Sequence, residues 1–394
     1  MIDPAVTRRP RIVHVTTSDI SLVLLLGRQL RAFIDAGYDV HAVSGHGPYG
    51  DQLAEWGVHH HELPSLTRAV DPLADVRAPV ELYRLFRSLR PDLVHTHNPK
   101  PGVYGRIAAR AARVPAVVNT VHGLYALPAD PWSKRAVVYG LERIAATCSD
   151  AELVQNPEDV ETLRRLRVPE SHLHVLGNGI DLTRFDASRV APERVVEIRS
   201  SVGAGPNHVV CGLVGRLVWE KGYREVFDAV AALRTRVPNL RVFVAGPCDD
   251  DKEDAVTAED IARAEQSGIT FLGMRDDVDE LYAAMDLYVL ASYREGWPRS
   301  AMEAAATGVP VIATDIRGCR QVVDHGVTGL LVAPRDTSSL AHAIEALAGD
   351  APRRVAMGAA ARHKAEAEFD EARVIAITLA VYRRLVGGPA PVAA

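Results

Sequence analysis

Residues 286–315 read DLYVLASYREGWPRSAMEAAATGVPVIATD, and this segment alone contains one complete strand–helix–strand unit. Two short apolar runs, Leu287–Ala291 and Pro310–Ala313, predict buried strands, and a helix is predicted to begin near Arg299. Strands joined through a helix lie parallel in one sheet, and helices cover both faces of such a sheet. The loop after Ala291 then lies at the carboxyl edge, where open α/β sheets bind their ligands.

The same alternation of short strands and longer helices continues along the whole chain. In the first half, the predicted strands are Arg11–Thr17, Tyr38–Ser44, His59–Leu63, Leu93–His97, Ala116–Gly123, Glu152–Gln155 and Leu173–Leu176. The helices between them include Ser21–Ala36, Pro79–Leu89, Gly102–Arg113 and Pro131–Thr147. The pattern then restarts, with further predicted strands at Val209–Val214, Arg241–Ala245, Ile269–Leu272 and Gly329–Val332.

Length and linker composition indicate two domains of this kind. A chain of 394 residues is too long for one ordinary core. The segment 189–205 is charged and then carries glycine and proline, as an interdomain linker does. We therefore predict two consecutive doubly wound α/β domains, at residues 1–190 and 205–371.

Composition excludes several classes of protein. With 47% hydrophobic and 24% charged residues, the chain is globular rather than disordered or fibrous. Its net charge of −5 argues against a nucleic-acid binder, which needs a basic surface. The four cysteines lie far apart without a CxxC pair, so we expect reduced thiols and no zinc site formed by them. We find no signal peptide and no run of ~20 apolar residues, and we expect a cytoplasmic protein.

Two glutamates frame the loop that follows the strand at Leu287–Ala291. Glu295 lies in the loop and Glu303 lies in the second turn of the helix, so both can face one crevice. Carboxylates accept the hydroxyl hydrogen bonds of sugar rings, and the backbone N–H groups of residues 296–299 suit a hydroxyl or a phosphate oxygen. The alternative is that both glutamates are solvated partners of the helix dipole. On these residues alone, both interpretations stay open.

A second candidate element follows the first strand of the second domain, where residues 213–226 read LVGRLVWEKGYREV. Gly215 and Arg216 come directly after the strand, and Lys221 precedes the next helix. Arginine offers a bidentate fork and lysine a mobile point charge, and both suit a diphosphate. We favour this role over the alternative of a surface arginine and lysine at a turn.

Together these elements resemble glycosyltransferase family 4 of the GT-B fold, and the resemblance spans nearly the whole chain. Glu295 and Glu303 form the E-x7-E hallmark, and Arg216 with Lys221 forms the GR…K element. Two further segments match characteristic family stretches, namely FLGMRDDVDELYAAMDLYV at Phe271–Val289 and VLGNGIDLTRF at Val175–Phe185.

The resemblance implies an α/β architecture of two Rossmann-like domains facing a central cleft. The first domain would bind the acceptor and the second the nucleotide-sugar donor. The last helix, near Asp370–Val386, would carry residues 372–394 back to the first domain.

The same resemblance implies roles for individual residues. Arg216 and Lys221 hold the donor diphosphate and offset the charge of the leaving group. Glu303 binds the ribose hydroxyls, Glu295 binds the transferred sugar, and His122 of the TVHG segment approaches that sugar and supports catalysis. The full donor set is Gly215, Arg216, Lys221, Met274, Arg275, Glu295, Gly296, Trp297, Pro298 and Glu303. For His122, the alternative is a structural histidine at the turn before Gly123.

The acceptor candidates lie in the first domain and are Asp19, His97 and Asn98. Many family members carry a glycine-rich loop after the first strand, whereas this chain reads TTSDISLVLLLG at residues 16–27. Asp19 in this loop either contacts the acceptor or caps a helix. His95 and His97 share one strand face, and they either contact the acceptor or simply complete the strand.

No metal site and no cofactor are expected. The run His59–His61 suggests a metal patch, but neighbouring side chains on a strand point to opposite faces, so we interpret the run as structural. No DxD carboxylate pair stands where a metal–diphosphate complex would need one. We therefore expect metal-independent transfer, with Arg216 and Lys221 in the place of a cation.

The sequence thus predicts a retaining transferase that moves a hexose-type sugar from a nucleoside diphosphate to an acceptor hydroxyl. The donor nucleotide is expected to be UDP rather than GDP, on family frequency alone. The acceptor is a lipid-linked saccharide, a polysaccharide precursor or another small molecule. The segment Pro131–Thr147 mixes basic and apolar residues, and it is either a peripheral membrane contact or an ordinary surface helix.

Four alternatives are less favoured. A GT-B epimerase or a non-catalytic sugar-nucleotide binding protein keeps the fold, as does a phosphorylase, which would need a lysine for a covalently held cofactor. An NAD-dependent oxidoreductase needs GxGxxG after a first strand, and neither Arg11–Thr17 nor Val209–Val214 is followed by it.

Overall fold

The computed structural model describes residues 8–67, 71–97, 99–126, 130–248 and 254–388. The chain divides into two compact units. The first unit comprises Met1–Gly177 and Val374–Ala394, and the second comprises Asn178–Arg373.

The first unit is built on a seven-stranded sheet whose strand order is β3-β2-β1-β4-β5-β6-β7. All neighbouring pairs are parallel, and the strands are β1 Arg11–Val15, β2 Asp39–Ser44, β3 His59–Glu62, β4 Leu93–His97, β5 Ala116–Val121, β6 Ala151–Val154 and β7 Leu173–Val175. The helices are α1 Asp19–Leu24, α2 Gly27–Asp35, α3 Gly50–Glu55, α4 Pro72–Leu89, α5 Lys100–Ala111, α6 Trp132–Ala146 and α7 Pro157–Arg165. The chain runs outward from β1 in both directions, so the switch point lies between β1 and β4.

The second unit repeats this plan with six parallel strands in the order β10-β9-β8-β11-β12-β13. The strands are β8 Val209–Val214, β9 Leu240–Ala245, β10 Ile269–Phe271, β11 Leu287–Leu290, β12 Val311–Thr314 and β13 Gly329–Val332. The helices are α8 Pro192–Ser201, α9 Tyr223–Leu233, α10 Ala258–Gln266, α11 Val278–Ala283, α12 Arg299–Ala306, α13 Arg317–Val322, α14 Thr337–Ala348 and α15 Ala351–Glu368. Its switch point lies between β8 and β11. The doubly wound α/β class predicted for both halves is confirmed.

The last helix, α16 at Glu371–Val386, returns the chain to the first unit as predicted. Val374, Val381 and Tyr382 are buried in the same apolar core as strands β1 and β2. Within the described residues, no helix combines the length and the apolar character that crossing a bilayer requires.

The boundary between the units differs from the predicted one. We assigned residues 178–190 to the first domain, but the structure places them in the second unit. Ile180 exchanges backbone hydrogen bonds with Phe369 and Glu371, and both Ile180 and Phe185 are buried in the core of the second unit. The charged and glycine-bearing linker signal therefore lies about a dozen residues beyond the true boundary.

Two predicted helices in the first unit also differ. Ser21–Ala36 is not one helix but two, α1 and α2, because the backbone bends at Leu26 and Gly27 begins a new helix. A Cβ on Gly27 would lie 2.8 Å from the Trp56 ring, so glycine permits this close packing. Helix α4 begins seven residues before the predicted Pro79, because the Asp71 carboxylate caps it and Pro72 occupies its first position.

Candidate active site

An ion pair joins the two strand ends at the switch point of the second unit. The Lys221 ammonium lies 2.6 Å from Oε1 of Glu295, and the hydroxyl of Ser292 donates to the same oxygen at 2.7 Å. The side chains of Lys221 and Glu295 are 24% and 12% exposed. The structure therefore brings together two of the predicted catalytic residues, which are far apart in the sequence.

Gly222 makes this approach possible. Its φ of 75° is in the left-handed region that favours glycine, and a Cβ here would lie 2.0 Å from the carbonyl oxygen of Ala291. The turn that carries Lys221 thus packs directly against the end of β11, from which the Glu295 loop emerges.

The Glu295 loop is held by its backbone. The carbonyl of Ser292 accepts a hydrogen bond from the Thr314 hydroxyl at 2.5 Å. A Cβ on Gly318 would lie 2.6 Å from the Glu295 carbonyl oxygen and 2.8 Å from that of Gly296, so α13 packs tightly under the loop. Such packing fixes the position of the carboxylate before any ligand arrives.

Trp297 and Pro298 complete this loop. The Trp297 carbonyl accepts from the side-chain amide of Asn178 at 3.2 Å, and its ring contacts Phe369 edge-on. The indole N–H is buried and makes no hydrogen bond among the described residues. Pro298 is buried and directly precedes α12.

Glu303 lies on α12, beside a tyrosine and an arginine. The Tyr282 hydroxyl donates to its Oε2 at 3.1 Å, and Nε of Arg299 lies 4.0 Å from Oε1. Burial raises the pKa of Glu303, and the positive charge of Arg299 opposes that rise. Burial raises the pKa of Tyr288, and the charges of Glu295 and Glu303 add to that rise, so both carboxylates lie near this buried phenol.

The remaining donor candidates lie around β8 and β10. Gly215 directly follows β8, its carbonyl accepts from the Tyr223 hydroxyl at 3.1 Å, and the half-buried Arg216 comes next. Met274 is exposed after β10. The guanidinium of Arg275 donates to Asp277 and, with Arg194, holds the pKa of that carboxyl at about 2. Arg275 is therefore paired with a carboxylate in this structure.

In the first unit, the half-buried His122 belongs to a continuous row of polar side chains whose other members are buried. His122 Nε2 lies 3.0 Å from Nδ1 of His97, and His97 Nε2 lies 3.1 Å from Nδ1 of His14. The Tyr382 hydroxyl lies 3.3 Å from His14 Nε2 and 2.5 Å from Nδ1 of His95. Nε2 of His95 then meets the Thr120 hydroxyl at 2.7 Å. We call these six residues the histidine chain.

The four imidazole rings of the histidine chain are neutral at ordinary pH. Burial lowers the pKa of His14 to about 3 and that of His122 to about 4, and it lowers the pKa values of His95 and His97 well below 6.5. A neutral imidazole donates from one nitrogen and accepts at the other. Therefore all hydrogen bonds of the histidine chain must be donated in the same direction along the row, or all in the opposite direction. The tautomer of His122 is thereby linked to every other member.

The acceptor candidates are placed less favourably. Asp19 is 3% exposed, and its two oxygens accept from the backbone N–H groups of Ile20 and Tyr49 at 2.8 and 2.7 Å. Asp19 is the first residue of α1 and Ser18 occupies the cap position, so Asp19 is not the cap of this helix, and its contact with an acceptor stays a prediction. His97 is buried within the histidine chain, and Asn98 lies outside the described residues.

His14 and Tyr382 are two members of the histidine chain that the sequence pattern does not predict. His14 pairs with His95 in the parallel register of β1 and β4, so an alignment of the predicted strands would have indicated it. Tyr382 lies 287 residues from His95, and local pattern carries no sign of that contact.

Both units match models of known protein families. A model of glycosyl transferases group 1 matches residues 196–364, and a model of the glycosyl transferase 4-like domain matches residues 23–179. The chain is 30% identical over 310 residues to the UDP-Gal:alpha-D-GlcNAc-diphosphoundecaprenol alpha-1,3-galactosyltransferase of Escherichia coli, covering 77% of this chain and 78% of that protein.

Two further similarities span more of the chain. The N,N'-diacetylbacillosaminyl-diphospho-undecaprenol alpha-1,3-N-acetylgalactosaminyltransferase of Campylobacter jejuni is 23% identical over 91% of this chain and 94% of its own length. The structure of HepE from Anabaena, solved with UDP and glucose, superposes with a TM-score of 0.78 at 20% identity and covers 96% of this chain and 99% of that one. Likeness at this level of identity concerns the fold.

Proposed function

Because the chain belongs to glycosyltransferase family 4 and has the GT-B fold, we propose that it transfers a hexose-type sugar from a nucleoside diphosphate to an acceptor hydroxyl, with retention at the anomeric carbon. The observation that carries this proposal is the contact between Lys221 and Glu295 at the β8–β11 switch point. A cation for the diphosphate and a carboxylate for the sugar are thus held together at the edge where such sheets bind ligands.

The donor is a UDP-sugar in this proposal. In support, the similar Escherichia coli enzyme is named for UDP-Gal, and HepE was solved with UDP. Arg216 and Lys221 neutralise the diphosphate, and Glu303, set back on α12 beside Tyr282, accepts the ribose hydroxyls. Arg275 would have to leave Asp277, or act through it, in order to contact the base.

The proposed reaction is a front-face substitution. The bond from the anomeric carbon to the donor phosphate oxygen breaks, the acceptor oxygen bonds to the same face, and the acceptor proton passes to that phosphate. Negative charge grows on the leaving diphosphate, where Arg216 and Lys221 offset it in place of a metal ion. When a sugar is bound, the Glu295 carboxylate orients it by accepting hydrogen bonds from its hydroxyl groups.

In this proposal, the acceptor is a lipid-linked saccharide of polysaccharide biosynthesis. The protein binds it at the cytoplasmic face of a membrane. Both sequence relatives named above act on undecaprenol-linked diphosphates by name. Helix α6 supports a peripheral contact, because Val137, Leu141 and Ile144 are exposed on one side of it and Lys134 is basic.

A direct assay tests the proposal. Purified protein is incubated with UDP-sugars and an undecaprenyl-diphosphate saccharide, and UDP release and the anomeric configuration of the product are measured. We expect Lys221→Ala to lower kcat by roughly 10²–10³. Lys364→Ala is the matched control, because Lys364 is also ion-paired, to Asp324 at 2.7 Å, but lies on α15. Near-normal turnover in Lys221→Ala, or an inverted product, would overturn the proposed mechanism.

A further inference from the structure

We propose that the first unit binds one zinc-type divalent cation through Asp39, His41 and His59, which we call the β2–β3 cluster. Asp39 is the first residue of β2 and His59 the first residue of β3. The cluster therefore lies at the amino edge of the sheet, whereas His97 ends β4 at the carboxyl edge. It is separate from the proposed transfer reaction and does not depend on it.

The spacing of the three ligand atoms fits a tetrahedral ion. Asp39 Oδ1 lies 3.3 Å from Nε2 of His41 and 3.6 Å from Nε2 of His59, and all three atoms lie within 4.8 Å of one another. Zinc bonds of about 2.0–2.2 Å in tetrahedral geometry separate the ligand atoms by roughly 3.3–3.6 Å. Two of the three separations already have this value.

The sheet itself sets this arrangement. Asp39 and His41 are two residues apart on β2 and so share one face, and the parallel register places His59 beside His41. The two imidazole rings have centroids 4.7 Å apart. The Arg11 guanidinium donates to Oδ2 of Asp39 at 2.8 Å, which orients the carboxylate while Oδ1 faces the two histidines.

The buried ring of His41 is the observation that points to a ligand. His41 is 6% exposed, and its Nε2 has no partner in good hydrogen-bond geometry within the described part of the chain; the Asp39 Oδ1 atom lies 3.3 Å from it. Its Nδ1 is paired with Nε2 of His61 at 2.8 Å, the kind of outer contact that fixes a metal-binding tautomer. If Nδ1 carries the proton, a lone pair on Nε2 faces a carboxylate, and a cation between them removes the repulsion.

The surroundings leave room for a fourth ligand. A cavity of about 250 Å³, lined among others by Asp39, His59 and Tyr38, opens beside the cluster and can supply a water molecule. Arg8, which also lines it, is paired with Asp92 at 2.7 Å. Two imidazoles and one carboxylate favour zinc-type cations over Ca²⁺ or Mg²⁺, which prefer oxygen ligands.

The sequence favours a structural role for the strand run His59–His61. That interpretation holds for its central member, since His60 points to the other side and bonds the Ser44 hydroxyl at 2.9 Å. The metal-binding partners of His59 are not its neighbours in the sequence but Asp39 and His41 on β2.

A second group, His14, His95 and His97, also brings ring nitrogens within 4.8 Å of one another. We do not assign a metal to it, because the histidine chain already uses both nitrogens of each of these rings. A metal ion bound to these three histidines would have to replace hydrogen bonds of the histidine chain.

Metal titration of the tag-free, chelator-treated full chain tests the β2–β3 cluster. Zn²⁺ is titrated by calorimetry, and Co²⁺ is followed by its visible absorption, which reports tetrahedral geometry. We expect one equivalent to bind, and we expect Asp39→Asn and His59→Ala each to weaken binding at least about tenfold. His60→Ala is the matched control on the same strand and should bind as the native chain does.

His59 is suited to this test because its side chain is 65% exposed, so its truncation leaves the fold intact. Thermal unfolding without metal checks this directly. The assignment is refuted if the native chain binds no equivalent of either ion, or if the His59→Ala and Asp39→Asn chains bind as tightly as the native one. The latter result would place the ion at other histidines.

Discussion

The Tyr382 hydroxyl is the central link of the histidine chain, and removing it tests whether that chain stabilises the first unit. Tyr382 is fully buried, and its hydroxyl lies 2.5 Å from His95 Nδ1 and 3.3 Å from His14 Nε2. Tyr382→Phe keeps the ring but leaves one donor and one acceptor buried without a partner. At about 1–3 kcal/mol for each orphaned group, the loss in unfolding free energy should be between about 2 and about 6 kcal/mol.

Tyr38→Phe is the matched control in the same apolar core. The Tyr38 ring lies edge-on to that of Tyr382 at 5.9 Å, and the Tyr38 hydroxyl is buried without a hydrogen-bond partner among the described residues. Removing it should therefore leave stability unchanged or raise it slightly. Urea unfolding is followed by hydrogen-exchange mass spectrometry of β4 peptides, which reports the first unit separately. Equal effects of the two substitutions would show that the polar row contributes nothing to stability.

Three further predictions concern the two units separately. Glu303→Gln should raise the KM for the UDP-sugar about tenfold, because a charged acceptor of the ribose hydroxyls is lost, and steady-state kinetics with a near-constant kcat would support this. Gly222→Ala should cost at least about 2 kcal/mol and lower turnover, since the new Cβ meets the Ala291 carbonyl at a φ of 75°; an unchanged Tm would contradict it. The stability of the first unit should fall as the pH drops below 6.5. His14 and His122 have folded pKa values of about 3 and about 4, so these histidines are protonated in the unfolded chain at a higher pH than in the folded one. Each should cost about 1.4 kcal/mol at pH 5.5, and a urea midpoint that is the same at pH 7.5 and 5.5 would refute this.

Much of the fold was readable from local pattern, because the strands of a parallel sheet are buried on both faces. Each predicted strand corresponds to an observed one, with ends that differ by no more than two residues. The break between α1 and α2 was not readable, since the apolar run LVLLL at residues 22–26 spans it and the Trp56 ring that packs against Gly27 is distant in the sequence. The misplaced boundary at residues 178–190 has a similar origin, because Ile180 is held by Phe369.

The candidate site could likewise be predicted only where local sequence pattern gives a signal. Glu295 and Lys221 were found because each follows a predicted strand at its carboxyl end, where function is expected. Their contact joins residues 74 positions apart, and only strand order makes it possible. His14 and His41 were missed because a histidine within an apolar strand gives no local signal, and the partner on the neighbouring strand decides what it does.

Tyr382 and the rest of α16 also affect the order in which the protein can be completed on the ribosome. The first unit lacks Val374, Val381 and Tyr382 until the whole of Asn178–Arg373 has been synthesised. Synthesis of the first unit thus begins first and is completed last, and all residues of the second unit are synthesised before the first unit is complete. A fragment that ends at Gly177 would carry His95 and His14 without their shared phenol, and it should behave as an incomplete core rather than as an independent domain.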